Sequence, residues 1–150
     1  MSVIEAEVPV AAPPERVWAV VADPRNLTRW DRRVAAVRDV PAGGLTSGSG
    51  YVVELRFMGV HAEVKARVQE LEPPEYAKVW LTGMVDATIE TWVRPDGPGR
   101  SRLRHRIDYS FKGGALGEFA ARAVRMLGAQ SMLRRGVAAQ KRQAESAEGA

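Results

Sequence analysis

Apolar and polar residues alternate along Val3–Val10, with Ile4, Ala6, Val8 and Val10 on one side and Glu5 and Glu7 on the other. This is the pattern of a half-buried strand. The period then changes. Pro13 and Pro14 suit the first turn of a helix, where a missing N–H does no harm, and Glu15 favours the positive helix end. Val17, Val20 and Val21, with Trp18 beside them, supply the apolar side. Asp23-Pro24 is a stop-and-restart signal that predicts a second short helical piece through Leu27 toward Trp30. From Arg33 to Phe111 the chain reads as strands broken by turn clusters, the longest being Pro41-Ala42-Gly43-Gly44 and Ser47-Gly48-Ser49-Gly50. Tyr51, Val53, Leu55 and Phe57 share one face, with Glu54 and Arg56 on the other. Val60, Ala62, Val64, Ala66 and Val68 face inward, while His61, Glu63, Lys65, Arg67 and Gln69 face outward. The last strand sets Leu103, His105, Ile107, Tyr109 and Phe111 against Arg102, Arg104, Arg106 and Asp108. Around Gly83 the register is open, and neither Trp80 nor Trp92 takes a face from the pattern. After Gly113-Gly114 the period becomes 3.6 and persists toward Glu145, with Leu116, Phe119, Ala120, Ala123, Leu127, Gln130, Val137 and Ala138 in one stripe.

The predicted order is therefore one strand, two short helices, about six further antiparallel strands and one long helix, an α+β arrangement. The single apolar face of such a sheet has to be buried against the last helix. A chain of 150 residues with 45% hydrophobic and 27% charged residues fits one folded domain, read as 1–145, followed by a polar tail at 146–150 expected to be disordered. The absence of cysteine excludes disulfides, thiolate metal sites and a thiol nucleophile. Met1 to Glu7 form neither a basic n-region nor an apolar h-region, and no later segment reaches the length of a membrane span, which predicts a cytoplasmic location. The net charge of +4 comes mostly from arginine. No aromatic residues interleave with those arginines as a base-stacking surface requires, so they read as a solvated outer face and nucleic acid is not the expected partner.

At this point the residues themselves resemble a known superfamily. The run Ala12-Pro-Pro-Glu-Arg-Val-Trp-Ala-Val-Val-Ala-Asp-Pro-Arg-Asn-Leu-Thr-Arg-Trp-Asp31 is similar to the N-terminal signature of START-like (SRPBCC) proteins, in particular their polyketide cyclase/dehydrase and lipid-transport group. Glu70-Leu-Glu-Pro-Pro74, the Pro95-Asp-Gly-Pro-Gly99 hairpin and Gly113-Gly-Ala-Leu-Gly117 follow in matching order. The resemblance implies a helix-grip fold: a curved sheet of about seven strands, in the order β-α-α-β6-α, wrapped around a long C-terminal helix with a cavity between them. It also implies binding or transformation of an apolar or amphipathic small molecule such as a lipid or polyketide. Where the family pattern has Thr after the hairpin, this chain has Arg100-Ser101, a change expected to touch only the turn. The aliphatic inward face of Val60–Val68 offers none of the inward polar and arginine side chains of the polyketide aromatase/cyclases, and fold alone licenses no mechanism.

His105 is the candidate for chemistry, since alternation sets its imidazole between Leu103 and Ile107 on the concave face. It reads as a general acid or base, as a partner for a ligand carbonyl, or as a buried neutral histidine satisfied by protein. Gln130 near the middle of the helical stripe reads as an amide that meets a ligand or His105, or as one hydrogen-bonded to protein groups. Tyr51, Phe57, Tyr109, Phe119, Met126 and Leu127 are expected to line the cavity, or else to form plain core. Two histidines on opposite faces supply no three-ligand site, and no phosphate loop precedes a helix. No metal and no cofactor are expected. The expected partner is an apolar small molecule, with a homodimer as a further possibility. The alternatives are a polyketide-type cyclase/dehydratase using the same cavity and a regulatory protein-interaction module using the arginine-rich helix.

Overall fold

The computed structural model describes residues 2–57, 59–83, 85–111, 113–114, 118, 122–123 and 128–146. Its elements are β1 (Ser2–Val10), α1 (Pro14–Val21), a 3-10 turn (Pro24–Asn26), α2 (Leu27–Trp30), β2 (Val34–Arg38), β3 (Gly50–Phe57), β4 (Val60–Glu72), β5 (Tyr76–Thr82), β6 (Val85–Pro95), β7 (Ser101–Phe111) and the C-terminal helix α3 (Ala129–Ser146). All seven strands form one antiparallel sheet in the order β1-β7-β6-β5-β4-β3-β2. The last strand thus pairs with the first, and the two edges are β1 and β2. This is the helix-grip arrangement. The tail at 147–150 lies outside the described residues.

The local causes match the sequence signals. Pro14 opens α1 with Glu15 in its first turn. Asp23 accepts a hydrogen bond from the backbone N–H of Arg25 and so starts the 3-10 turn at Pro24. Cross-strand register then settles both faces. Leu103, His105, Ile107 and Tyr109 of β7 stand opposite Val93, Thr91, Ile89 and Ala87 of β6, and Ile89 and Ala87 stand opposite Val79 and Leu81 of β5. Val79 and Leu81 lie on the concave side, so Trp80 between them lies on the convex side, as does Trp92 opposite Tyr76 and Arg104. A register shift between Val68 and Glu70 returns Leu71 of β4 to the concave side opposite Ala77.

The helix at the end of the chain departs from the expected continuous stripe. Gly128 has φ 86°, outside the right-handed helical region, and α3 begins immediately after it. The 3.6 period restarts there, and the buried residues of α3 are Ala129, Val137, Gln140 and Ala144. Gln130 lies beside this stripe rather than on it. The helix packs chiefly on β1, α1 and α2.

Burial gathers into two clusters. One joins Val10, Val17, Val20, Val93, Leu103 and Val137 where α1, β1, β6, β7 and α3 meet. The other joins Val34, Tyr51, Val53 and Ala66 under β2, β3 and β4, with Leu27, Leu45, Val79 and Leu81 packed against it.

Candidate functional site

His105 lies on the concave face at the centre of β7 and is only 7% exposed. Its Nδ1 is 2.9 Å from Thr91 Oγ1 on the neighbouring strand, and its Nε2 is 2.7 Å from Gln140 Oε1 on α3. With the Gln140 carbonyl oxygen accepting, the ring carries its proton on Nε2, and Nδ1 accepts from the threonine hydroxyl. Burial holds the imidazole below its ordinary pKa, opposed by the Gln140 hydrogen bond. A neutral imidazole with both nitrogens occupied by protein is the third of the roles the sequence left open. It ties the helix to the sheet.

The amide that meets His105 is therefore Gln140, which corrects the first reading of Gln130, and Gln130 takes its other reading, a hydrogen bond to protein groups. Gln130 lies at the open edge of β1, where its Oε1 accepts from the Glu5 backbone N–H and its Nε2 donates to the Glu5 carbonyl. An amide side chain presents the same donor and acceptor as a strand backbone, and here it occupies an edge that would otherwise stay unpaired. Lys141 Nζ donates to the Pro9 carbonyl at 2.7 Å, and Glu145 Oε2 accepts from the Ala11 N–H at 2.8 Å, continuing the attachment along β1. Gln143 accepts from Trp30 Nε1 at 2.9 Å on the α2 side. Gln140 and Thr91 were legible in principle. A stripe phased on Val137 includes Gln140, and alternation through Ala87, Ile89 and Val93 sets Thr91 inward.

Tyr51 and Tyr109 both lie on the concave face and are 9% and 5% exposed. Burial pushes the Tyr51 phenol up to about 12, so it stays protonated at any physiological pH. The Tyr109 hydroxyl is shielded from solvent and has no hydrogen-bond partner among the described residues. Phe119, Met126 and Leu127 lie outside the described residues, and of Phe57 only the backbone in β3 is described. Ser101, at the family departure, does more than close a turn. It is fully buried, and its hydroxyl donates to the Ala12 carbonyl ahead of α1 at 2.7 Å.

Leu55, Val79 and Leu81, which pack against the second cluster, and Ile89 and Ile107 on the neighbouring strands line the concave face yet remain partly exposed. Their neighbours on the same face, Val64, Ala66, Val68 and Ala87, are buried. A pocket of about 270 Å³ opens between α1 and the β2–β3 connection. Trp18, Val40, Leu45 and Leu71 are among its walls. Trp18 packs against the first cluster, while Val40 and Leu45 pack against the second, which places the opening between the two.

The convex face is charged and largely self-paired. Arg102 meets Glu7 at 3.0 Å, Arg104 and Arg106 meet Glu5 at 3.2 and 3.3 Å, and Arg106 also meets Glu90 at 3.5 Å. The Arg104 guanidinium lies 4.8 Å from the centre of the Trp92 ring. Among the described residues there is no group of three His, Asp or Glu that could hold a metal ion, and no helix is long and apolar enough to cross a membrane.

Residues 1–145 match the family described as polyketide cyclase/dehydrase and lipid transport. The fold is similar to that of TTHA0849 from Thermus thermophilus, at 17% identity and a TM-score of 0.78, covering 97% of this chain and 99% of that one. It is similar to that of the Zhui aromatase/cyclase from Streptomyces sp. R1128, at 18% identity and a TM-score of 0.78, covering 96% and 93%. It is similar again to that of a START superfamily protein from Mycobacterium smegmatis, at 16% identity and a TM-score of 0.74, covering 96% and 97%. A search of curated protein sequences finds no match.

Proposed function

The chain belongs to the polyketide cyclase/dehydrase and lipid-transport family, and from that premise we propose that it binds an apolar or amphipathic small molecule, a lipid, polyketide or related metabolite, over its concave face. The observation that carries this reading is the set of partly exposed aliphatic side chains on the concave face, Val79, Leu81, Ile89 and Ile107, two of which pack against the second buried cluster. Such a set is costly to leave in water and is stabilised by any apolar molecule that covers it. The opening between α1 and the β2–β3 connection is the route of entry, with the glycines Gly43, Gly44 and Gly48 of that connection as its movable side.

Binding without turnover is favoured over cyclase or dehydratase chemistry that relies on histidine. The chain has two histidines. His61 lies on the convex side, and both nitrogens of His105 are occupied by Thr91 and Gln140. A histidine that acts as general acid or base needs a ring nitrogen free to reach the substrate.

Native mass spectrometry of the purified protein tests the reading. The expected result is a co-purified apolar compound released on denaturation. A ligand of about 25 heavy atoms at roughly 0.3 kcal/mol each has a low-micromolar affinity, enough to survive gentle purification in part. A protein that carries no compound and takes up none from a mixture of fatty acids and aromatic polyketides would overturn it.

A further inference from the structure

We propose that the Tyr109 hydroxyl is the polar anchor of the concave groove, donating a hydrogen bond to a carbonyl oxygen on an otherwise apolar, flat ligand. This inference rests on the groove reading above. Buried hydroxyls in folded proteins nearly always have a partner, and the Tyr109 hydroxyl has none among the described residues. Its surroundings explain why the protein does not provide one. Ala87 stands opposite it on β6 and Ser2 on β1, and Ser2 makes no hydrogen bond to it. The other inward polar side chains of β6 and β7 are committed elsewhere, Ser101 to the Ala12 carbonyl and Thr91 to His105, which in turn holds Gln140. His105 is four residues away along the strand, about 13 Å, beyond the reach of the phenol.

The shape of the site indicates what would complete it. Tyr109, Ala87, Leu81, Ala66 and Tyr51 form one row across five strands of the concave face. The row spans four strand spacings, about 19 Å along the sheet. The phenols stand at its two ends, with the buried Ala87 and Ala66 on either side of the half-buried Leu81, a long apolar row that a flat ring system can cover. Phe111 meets the Tyr109 ring edge to face at 6.0 Å and 83°, and so holds its orientation. In the ligand-free chain the hydroxyl is shielded from solvent, and one desolvated donor stays unpaired among the described residues. A ligand that brings an acceptor oxygen to it relieves that penalty. A neutral carbonyl does so without introducing a further polar hydrogen into apolar surroundings, whereas an alcohol or an ammonium group does not.

The test compares 2-acetylnaphthalene with 2-ethylnaphthalene, a ketone and a hydrocarbon of nearly equal shape, on the full chain and on Tyr109→Phe. Calorimetric affinity is measured together with the melting temperature of each ligand-free protein. The expected result is a loss of about three- to tenfold for the ketone in the variant, with the hydrocarbon changed by less than about twofold. The ligand-free variant should melt at the same temperature or higher, since the unpaired donor is gone. Equal losses for both probes would overturn the anchor. So would a lower melting temperature in the variant, which would mean that the hydroxyl is bonded within the protein or to an internal water. Failure of both probes to bind the unaltered protein would instead overturn the groove reading itself.

Discussion

At the scale of single residues, His105 shows how a position that looks chemical becomes structural. Its two nitrogens join β6 to α3 through β7, so removing the ring strands the buried Gln140 amide and the half-buried Thr91 hydroxyl. His105→Phe is expected to lose about 1–3 kcal/mol of stability, read as a lower midpoint in urea unfolding. The same residue gives the protein a pH dependence. The folded imidazole has a pKa below the ordinary 6.5, whereas the unfolded ring protonates near that value. Its stabilisation is therefore complete above about pH 6.5 and is lost as pH falls, with a slope of up to about 1.4 kcal/mol per unit. Unfolding free energies measured between pH 7.5 and 5 should show this slope in the parent protein and not in His105→Phe. Val64 offers a contrast on β4. It is 2% exposed on the concave face, while Lys65 beside it faces water. Val64→Asp should cost several kcal/mol and Lys65→Asp within about 0.5 kcal/mol, as chemical denaturation would show.

At the scale of elements, the turn between β5 and β6 depends on close backbone contact rather than on side-chain chemistry. Gly83 has φ 150°, and a Cβ placed on it would lie 2.8 Å from the Glu63 carbonyl oxygen of β4. Neither that carbonyl nor the strand that carries it can move without breaking the β3–β4 pairing opposite. Gly83→Ala is expected to lower stability by about 1–3 kcal/mol, seen as a fall in melting temperature. The C-terminal helix is held by polar attachment along β1 as well as by its apolar stripe. Gln130, Lys141 and Glu145 each bond to the backbone of β1 or of the residue just after it. Such bonds secure the flank of the helix, and the middle of the sheet is left available to a ligand.

At the scale of the whole molecule, the sheet separates two environments. Its convex side carries Arg102, Arg104 and Arg106 in pairs with Glu5, Glu7 and Glu90 across three neighbouring strands. Its concave side is apolar. The pairs are roughly 40–50% exposed on both partners, except at Glu90, and exposed pairs contribute little stability. Glu5→Gln is accordingly expected to change stability by no more than about 1 kcal/mol. Pairing also limits what these arginines offer to phosphates. Retention on duplex DNA at about 0.15 M salt is not expected, and tight binding lost with rising salt would contradict this account.

What the sequence determined by itself was whatever depends on local period and local backbone constraint. Alternation assigned the inward faces of β1, β3, β4 and β7, proline and glycine punctuation located the turns, and the order of elements with the N-terminal signature implied the helix-grip fold. These features need only the neighbours of each residue along the chain. The facing of Trp80 and Trp92 required the register of β5 against β6, which sequence spacing around Gly83 leaves open. The partner of His105 required the phase of α3, and a single glycine at φ 86° reset that phase so that Gln140, rather than Gln130, turned inward. The missing partner of Tyr109 could not be read from the chain either, because a hydrogen bond left unmade depends on every strand and helix around it. Long-range register, helix phase and satisfied or unsatisfied polar groups are properties of the packed molecule, and those were decided by the tertiary structure alone.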